Sequence, residues 1–199
     1  MRRTKEDASE TMAKLIEVAR THFTKQGYAE AALEDIVAEA GLTRGALYHH
    51  FGSKKGLFRI VLEAVQKEIA ERVEAEAAKS EEVWEQLYNG CGAFVAAAVE
   101  PRSKRIMLLD GPAVLGWETW RALDERHSMR LLREQLLTMQ RLGSFKPASV
   151  EATVHILSGA LNEAALWIAQ CPDAEAALEE TMSVIADMLL GFGRPAVRE

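Results

Sequence analysis

The chain has 199 residues, 48% of them hydrophobic, enough to bury a core in one or two domains, and its formal charge is −6. No apolar run approaches the roughly 20 residues that span a bilayer, and the charged start "MRRTKEDASE" has no apolar stretch behind it, which argues against membrane insertion or secretion. The charge is uneven: ten Lys and Arg stand against eight Asp and Glu in residues 1–59, and fourteen against twenty-two in the remainder. That asymmetry fits a phosphate-facing N-terminal module joined to an acidic body. Cys91 and Cys171 stand far apart without partners at metal-ligand spacing, which fits buried, reduced thiols in a cytoplasm.

Apolar residues recur at three-and-four spacing nearly throughout, so the expected fold is all-α. From Ser9 to Gln26, the residues Met12, Leu15, Ile16, Ala19 and Phe23 line one helix face, and Gly27 ends the run. A short second helix covers Leu33 to Ala40, with Leu33, Ile36, Val37 and Ala40 on one side, and Gly41 breaks it. Thr43 is suited to cap a third helix through Phe51, and Ser53 a fourth that continues to about Ala78.

Two short helices around a glycine turn, braced by a helix before them, form a helix-turn-helix pattern whose second helix enters the DNA major groove. On that helix Leu47 and Phe51 are four apart and turn inward, leaving Arg44, Gly45, Tyr48 and His49 outward. Arginine offers a fork for guanine, glycine lets backbone approach the base edges, and Tyr and His carry polar tips for phosphate or base. Lys54 and Lys55 open the fourth helix, where cations are mildly unfavourable unless an anion is bound. A DNA phosphate would be that anion.

The stretch "GYAEAALEDIVAEAGLTRGALYHHFGSKKGLF", residues 27–58, resembles the DNA-binding signature of the TetR family of bacterial transcriptional regulators. The resemblance rests on Gly27 with Tyr28, on "DIVAEAG", on "GALYHHF" and on the "SK" that begins the fourth helix. It implies Arg44 and Gly45 at base edges, with Thr43, Tyr48, His49, His50 and Lys54 holding phosphates. Ala31 and Ala32 depart from the Thr and Ser frequent in the family there, which removes a cap or phosphate contact. Lys55 replaces a common acidic residue, and the basic arm "MRRTK" adds further charge toward DNA.

The resemblance also implies a divergent helical C-terminal domain that binds a small molecule and dimerises. "EEVWEQLYNGCGAFVAAAV" is amphipathic, with Trp84, Tyr88, Cys91 and Phe94 or Val95 along one stripe, and "DGPAVLGW" begins with a turn signal before Trp117 and Trp120. Four Trp and seven Met suit an adaptable apolar cavity, for which Trp84, Tyr88, Met107, Trp117, Trp120 and Trp167 are the candidate lining. The acidic, aromatic-rich C-terminal half suits a lipophilic ligand, with a cationic one as an alternative within that class. Pro172 and Asp173 separate a terminal helix pair. Val154, Leu157, Leu161 and Ala165 on one helix, with Met182, Ile185 and Leu189 on the other, are the expected homodimer interface.

A helical-bundle metal enzyme is the competing class. Asp124 with His127 and Glu151 with His155 have helical spacing, but Glu-x-x-His never occurs, adjacent His49 and His50 point about 100° apart, and no phosphate loop or nucleophile triad is evident. The sequence therefore predicts an all-α regulator without cofactor or metal. A helix-turn-helix domain is expected in residues 1–55 and an effector and dimerisation domain in residues 56–199. Its expected partners are double-stranded operator DNA, a lipophilic effector and a second copy of itself. Repression is the expected mode, with activation or control by a protein partner as alternatives that use the same reading head.

Overall fold

The helical spacing is realised from end to end in the computed structural model, which describes residues 5–146 and 149–193 and has no strand among them. In chain order the helices are α1 (Lys5–Glu30), α2 (Leu33–Ala40), α3 (Arg44–Phe51), α4 (Lys54–Ala77), α5 (Val83–Val99) and α6 (Pro101–Lys104). A π-helical turn (Arg105–Asp110) follows, then α7 (Gly111–Leu115), α8 (Trp117–Arg126), α9 (Ser128–Arg141), α10 (Val150–Ile168) and α11 (Ala174–Gly193). Of the basic arm "MRRTK", residues 1–4 lie outside the described residues.

The chain forms two compact units, each built from two separate stretches of sequence. The first joins the residues up to Val65 with Pro101–Arg121, and the second joins Gln66–Glu100 with the residues from Ala122 onward. The physical reason is that α6 and the π-helical turn pack on α1, so a segment remote in sequence completes the first unit. Helices α4 and α8 each contribute residues to both units.

In the first unit, the inward faces read from periodicity are buried: Leu15, Ala19 and Phe23 of α1, Ile36, Val37 and Ala40 of α2, Leu47 of α3, and Leu57, Phe58, Val61 and Leu62 of α4. Phe23, Tyr28 and Phe58 form an aromatic cluster, with Phe58 edge-on to each of the other two at centroid distances of 5.1 Å. Such pairs add about 0.5–1.5 kcal/mol each beyond the area they bury. His22 Nε2 meets Glu39 Oε2 at 2.8 Å, tying α1 to α2. α1 runs past the expected end at Gln26, kinking at Gly27 with φ 82° before its last residues. A side chain at residue 27 would combine that positive φ with a Cβ only 2.9 Å from the Arg105 guanidinium.

In the second unit α5 packs on α9, α10 and α11, and α10 packs also on α9. Ser149 and Asp173 cap the last two helices, accepting the N–H groups of Ala152 at 3.2 Å and Ala176 at 3.0 Å. Phe145 is fully enclosed between Trp84 and Phe192, at ring distances of 6.3 and 6.1 Å. Among the described residues no helix is long and apolar enough to cross a membrane.

Candidate nucleic-acid interface and ligand cavity

The interface is built on the turn between α2 and α3. Gly41 closes α2 in the left-handed conformation at φ 72°, and Thr43 Oγ1 accepts the Ala46 N–H at 3.2 Å to start α3. That bond uses the hydroxyl as an acceptor and leaves its proton for a phosphate oxygen. Leu47, 1% exposed, anchors α3 inward, an interaction worth about 1.5–3 kcal/mol. Thr43, Arg44, Gly45, Tyr48, His49 and His50 are all exposed. The six residues expected at this helix to meet DNA are thus all open to solvent.

Two details refine the electrostatics. Arg44 Nη1 is ion-paired with Glu34 Oε1 of α2 at 2.6 Å, and its guanidinium carbon lies 6.0 Å from the centre of the Tyr48 ring. A side-chain hydrogen bond with Tyr48, followed by the Glu34 charge, raises the Arg44 pKa further, so this group is cationic at every accessible pH. Lys54 is not a free phosphate clamp. Its Nζ donates to the Ala29 carbonyl at 3.0 Å and sits 4.7 Å from the Tyr28 ring centre, which ties the start of α4 to the end of α1. Lys55, one residue on, is the exposed cation of the pair.

Gly56 is a residue of this site that sequence reasoning passed over. Ser53 Oγ caps α4 by accepting the Gly56 N–H at 3.0 Å, and a Cβ on Gly56 would fall on the Phe51 carbonyl oxygen. The absence of a side chain is what lets the start of α4 close over the end of α3. Ala32 occupies the N-cap of α2 with no side-chain hydrogen bond, as its apolar character requires.

The second unit holds a cavity of about 370 Å³ bounded by the latter part of α4 and by α5, α8, α9 and α10. Leu87, Cys91, Phe94, Met129, Leu132 and Leu161 supply apolar wall, while Asp124, Ser158, Gln86 and Gln135 are among its polar groups. Trp84, Tyr88, Met107, Trp117, Trp120 and Trp167, expected at an effector site, do not line this cavity. Met107 and Trp120 are buried in the first unit, where the Trp120 indole N–H donates to the Met107 carbonyl at 2.9 Å. Trp117 and Trp167 are largely exposed, Trp84 packs on Phe145, and Tyr88 borders a separate groove with Arg72 and Met182. Aromatic content marked packing and surface here, and the cavity is instead lined chiefly by aliphatic residues and short polar groups.

The expected dimer residues lie inside the chain rather than on its surface. Val154, Leu157, Leu161, Ala165, Met182, Ile185 and Leu189 are all buried within the chain itself. The strongest apolar stripe of α10 and α11 is the one that packs inward, chiefly on α5 and α9. The outward surface of the pair carries Ile156, Trp167, Val184 and Leu190, each roughly half exposed or more. The metal candidates stay apart in function: Glu151 is held in a two-point pair by Arg133 at 2.6 and 2.9 Å, with His155 3.4 Å away. The Arg133 hydrogen bond is the main reason the Glu151 carboxyl lies below its ordinary pKa. No group of three potential metal ligands occurs among the described residues.

An all-helical chain that presents such a helix after a glycine turn, with a helical bundle enclosing a cavity in its second unit, is a helix-turn-helix DNA-binding transcriptional regulator. Residues 15–61 match the family model of the bacterial regulatory proteins of the tetR family, and residues 84–192 match the tetracyclin repressor-like C-terminal domain. The chain belongs to the TetR family. It is 36% identical to a TetR-family transcriptional regulator from Pectobacterium atrosepticum, whose crystal structure it matches with a TM-score of 0.80 over 97% of this chain and 99% of that one. It is also 46% identical over 67 residues to the HTH-type transcriptional regulator TtgR of Pseudomonas putida, covering 34% of this chain and 32% of that protein. With the HTH-type transcriptional regulator AcrR of Shigella flexneri it shares 40% identity over 70 residues, 35% of this chain and 33% of that protein. The chain thus matches about a third of the length of these two relatives.

Proposed function

We propose that this regulator is a cytoplasmic, non-enzymatic repressor that binds a palindromic operator as a homodimer and is released by a small-molecule effector. The observation that carries the reading is the exposed surface of α3, where Arg44 and Gly45 lie beside Thr43, Tyr48, His49 and His50. Arg44 and Gly45 meet base edges, and the others together with Lys55 meet phosphates. Lys54 contributes by bracing α4. Two copies related by a two-fold axis place two such helices at half-sites separated by about 34–36 Å or a multiple of it.

The homodimer uses the outward face of α10 and α11, where Ile156, Trp167, Val184 and Leu190 would otherwise leave apolar surface in water. The effector occupies the cavity. Helix α4 carries Lys54 and Lys55 at one end and the cavity residues Val73, Glu74 and Ala77 at the other, so it is the element through which the effector shifts the reading heads. A ligand that favours the released state by about 1–3 kcal/mol lowers operator affinity, and operator must weaken effector binding by the same factor. Sequencing the genomic DNA retained by the purified protein identifies the operator. Fluorescence anisotropy on that DNA then tests the reading: recovery of one palindromic sequence bound by a dimer supports it, and retention of unrelated sequences with equal affinity overturns it.

A further inference from the structure

The polar groups of the cavity wall decide which molecule fits, because its interior charges are already engaged within the protein. Glu134 is held by Arg130 Nη1 at 2.9 and 3.0 Å, and Glu74 is exposed to solvent. Asp124 is 1% exposed, accepts the Ser158 hydroxyl at 3.4 Å and, like Ser158, has further interactions inside the chain. A cation therefore meets no buried, unpaired carboxylate here. An anion meets no Lys, Arg or His among the described residues of the wall. Either charge would give up its hydration with nothing to replace it, which disfavours both.

One amide on the wall keeps an open valence. Gln135 Nε2 donates to the Val83 carbonyl at 2.9 Å and to Gln86 Oε1 at 3.1 Å, and Gln86 Nε2 donates in turn to the Ser80 carbonyl at 2.9 Å. Both ends of this chain are backbone carbonyls, which only accept, so neither amide can turn over without setting oxygen against oxygen. Both hydrogens of the Gln135 amide are thereby used. Its Oε1 takes no hydrogen bond from the described residues and stands as a fixed acceptor. The Ser128 hydroxyl, also on the wall, can give or accept and so selects neither.

We propose that the cavity takes an uncharged lipophilic molecule with one hydrogen-bond donor, a phenol or alcohol, its hydroxyl donating to Gln135 Oε1 and its apolar body against Leu87, Phe94, Leu132 and Leu161. Apolar burial supplies most of the affinity, and the donor supplies the choice among molecules of similar size. An ether or ketone would bring a second acceptor to Gln135 Oε1 and leave both oxygens unsatisfied. The proposal rests on the reading that the second unit receives a small-molecule effector, and it names the class of that effector.

Calorimetric titration of the full chain tests it with 4-tert-butylphenol, its methyl ether 4-tert-butylanisole, the cation 4-tert-butylbenzylammonium and the anion 4-tert-butylbenzoate. The phenol should bind about threefold or more tighter than the ether, although the ether is the more lipophilic, and neither ion should bind measurably. Gln135→Leu should reverse the order of phenol and ether. Leu131→Trp, at a partly exposed position on the wall, should weaken both. The proposal is overturned if either ion binds as tightly as the phenol, if the ether matches the phenol in the unaltered protein, or if the phenol does not bind. A preference for the phenol that survives Gln135→Leu overturns it equally. Should Gln135→Leu fail to fold, Leu131→Trp decides, since undiminished phenol binding in that variant places the site elsewhere. Operator affinity measured alongside separates the two readings: phenol binding that depends on Gln135 but leaves operator affinity unaltered supports the ligand class and overturns only release by effector.

Discussion

The Asp110 carboxylate accepts the backbone N–H of Tyr28 at 2.9 Å across 82 residues of sequence. Arg105, 3.9 Å from Asp110, donates to the Lys25 carbonyl at 3.3 Å, and its guanidinium packs against Gly27. The "DGP" stretch is therefore a latch on the kink of α1, within the same unit as α3. Asp110→Ala leaves a partly buried N–H without its acceptor and should cost about 1 kcal/mol of unfolding free energy, with Asp110→Asn recovering much of it because the amide oxygen still accepts. Chemical denaturation followed by helix signal reads this. Equal stability of the alanine variant and the parent would mean that the latch contributes nothing.

Gly56 is the second point at which the reading head depends on backbone proximity. Because a Cβ there would collide with the Phe51 carbonyl, a backbone atom that cannot rotate away, Gly56→Ala must displace the start of α4 from the end of α3. The expectation is a loss of about 1–3 kcal/mol, at odds with the gain that glycine-to-alanine changes usually bring inside helices. A variant more stable than the parent in thermal unfolding would show that the α3–α4 junction tolerates the shift.

Glu34 restrains the proposed base-reading arginine. Its ion pair with Arg44 is exposed on both sides, so it adds little stability, but DNA must compete with it for the guanidinium. Removing the carboxylate also removes repulsion toward phosphate. Glu34→Gln should therefore tighten binding to all sequences and narrow the ratio between operator and random DNA, whereas Arg44→Ala should lose about tenfold or more on operator alone. Competition titrations at two salt concentrations distinguish these outcomes, and a Glu34→Gln variant with unaltered affinity for random DNA would contradict the first.

The terminal helices supply a contrast between core and surface. Leu161 is buried and borders the cavity, while Val184 is exposed on the outward face of α11. Leu161→Glu should unfold or severely destabilise the chain, because a carboxylate without a partner is costly in an apolar interior. Val184→Glu should instead keep the native helix content and convert the proposed dimer to monomer in sedimentation. A folded Val184→Glu dimer would place the interface on another surface.

The reading head was legible because each of its devices is local: Gly41 and Thr43 set the turn, and Leu47 recurs in phase with the residues that must point inward. The cavity was not, because its lining converges from five helices that are far apart in the sequence. Periodicity found the buried stripes of α10 and α11 correctly as apolar, but it cannot say whether an apolar stripe meets its own chain or a second one. The fate of Lys54 was hidden for a related reason. Its partners, Ala29 O and the Tyr28 ring, become neighbours only when the kink at Gly27 turns the end of α1 toward α4.

Burial also separates the two thiols. Cys91, 3% exposed and part of the cavity wall, has its pKa pushed up to about 12 by burial, so the reactive thiolate is negligible near neutrality. Cys171 is partly exposed and makes only a long contact from its Sγ to the Trp167 carbonyl at 3.5 Å. One equivalent of thiol should react rapidly with Ellman's reagent in the native protein at pH 8, and two after denaturation. Because the folded pKa of Cys91 is raised, its neutral thiol contributes stability that is whole below the unfolded value near 9.0 and is lost as pH rises toward about 12. Stability measured against pH across that window should thus fall less steeply in Cys91→Ala than in the parent. Rapid reaction of both thiols in the native protein would mean that Cys91 is open to solvent and that the cavity wall at α5 is not closed.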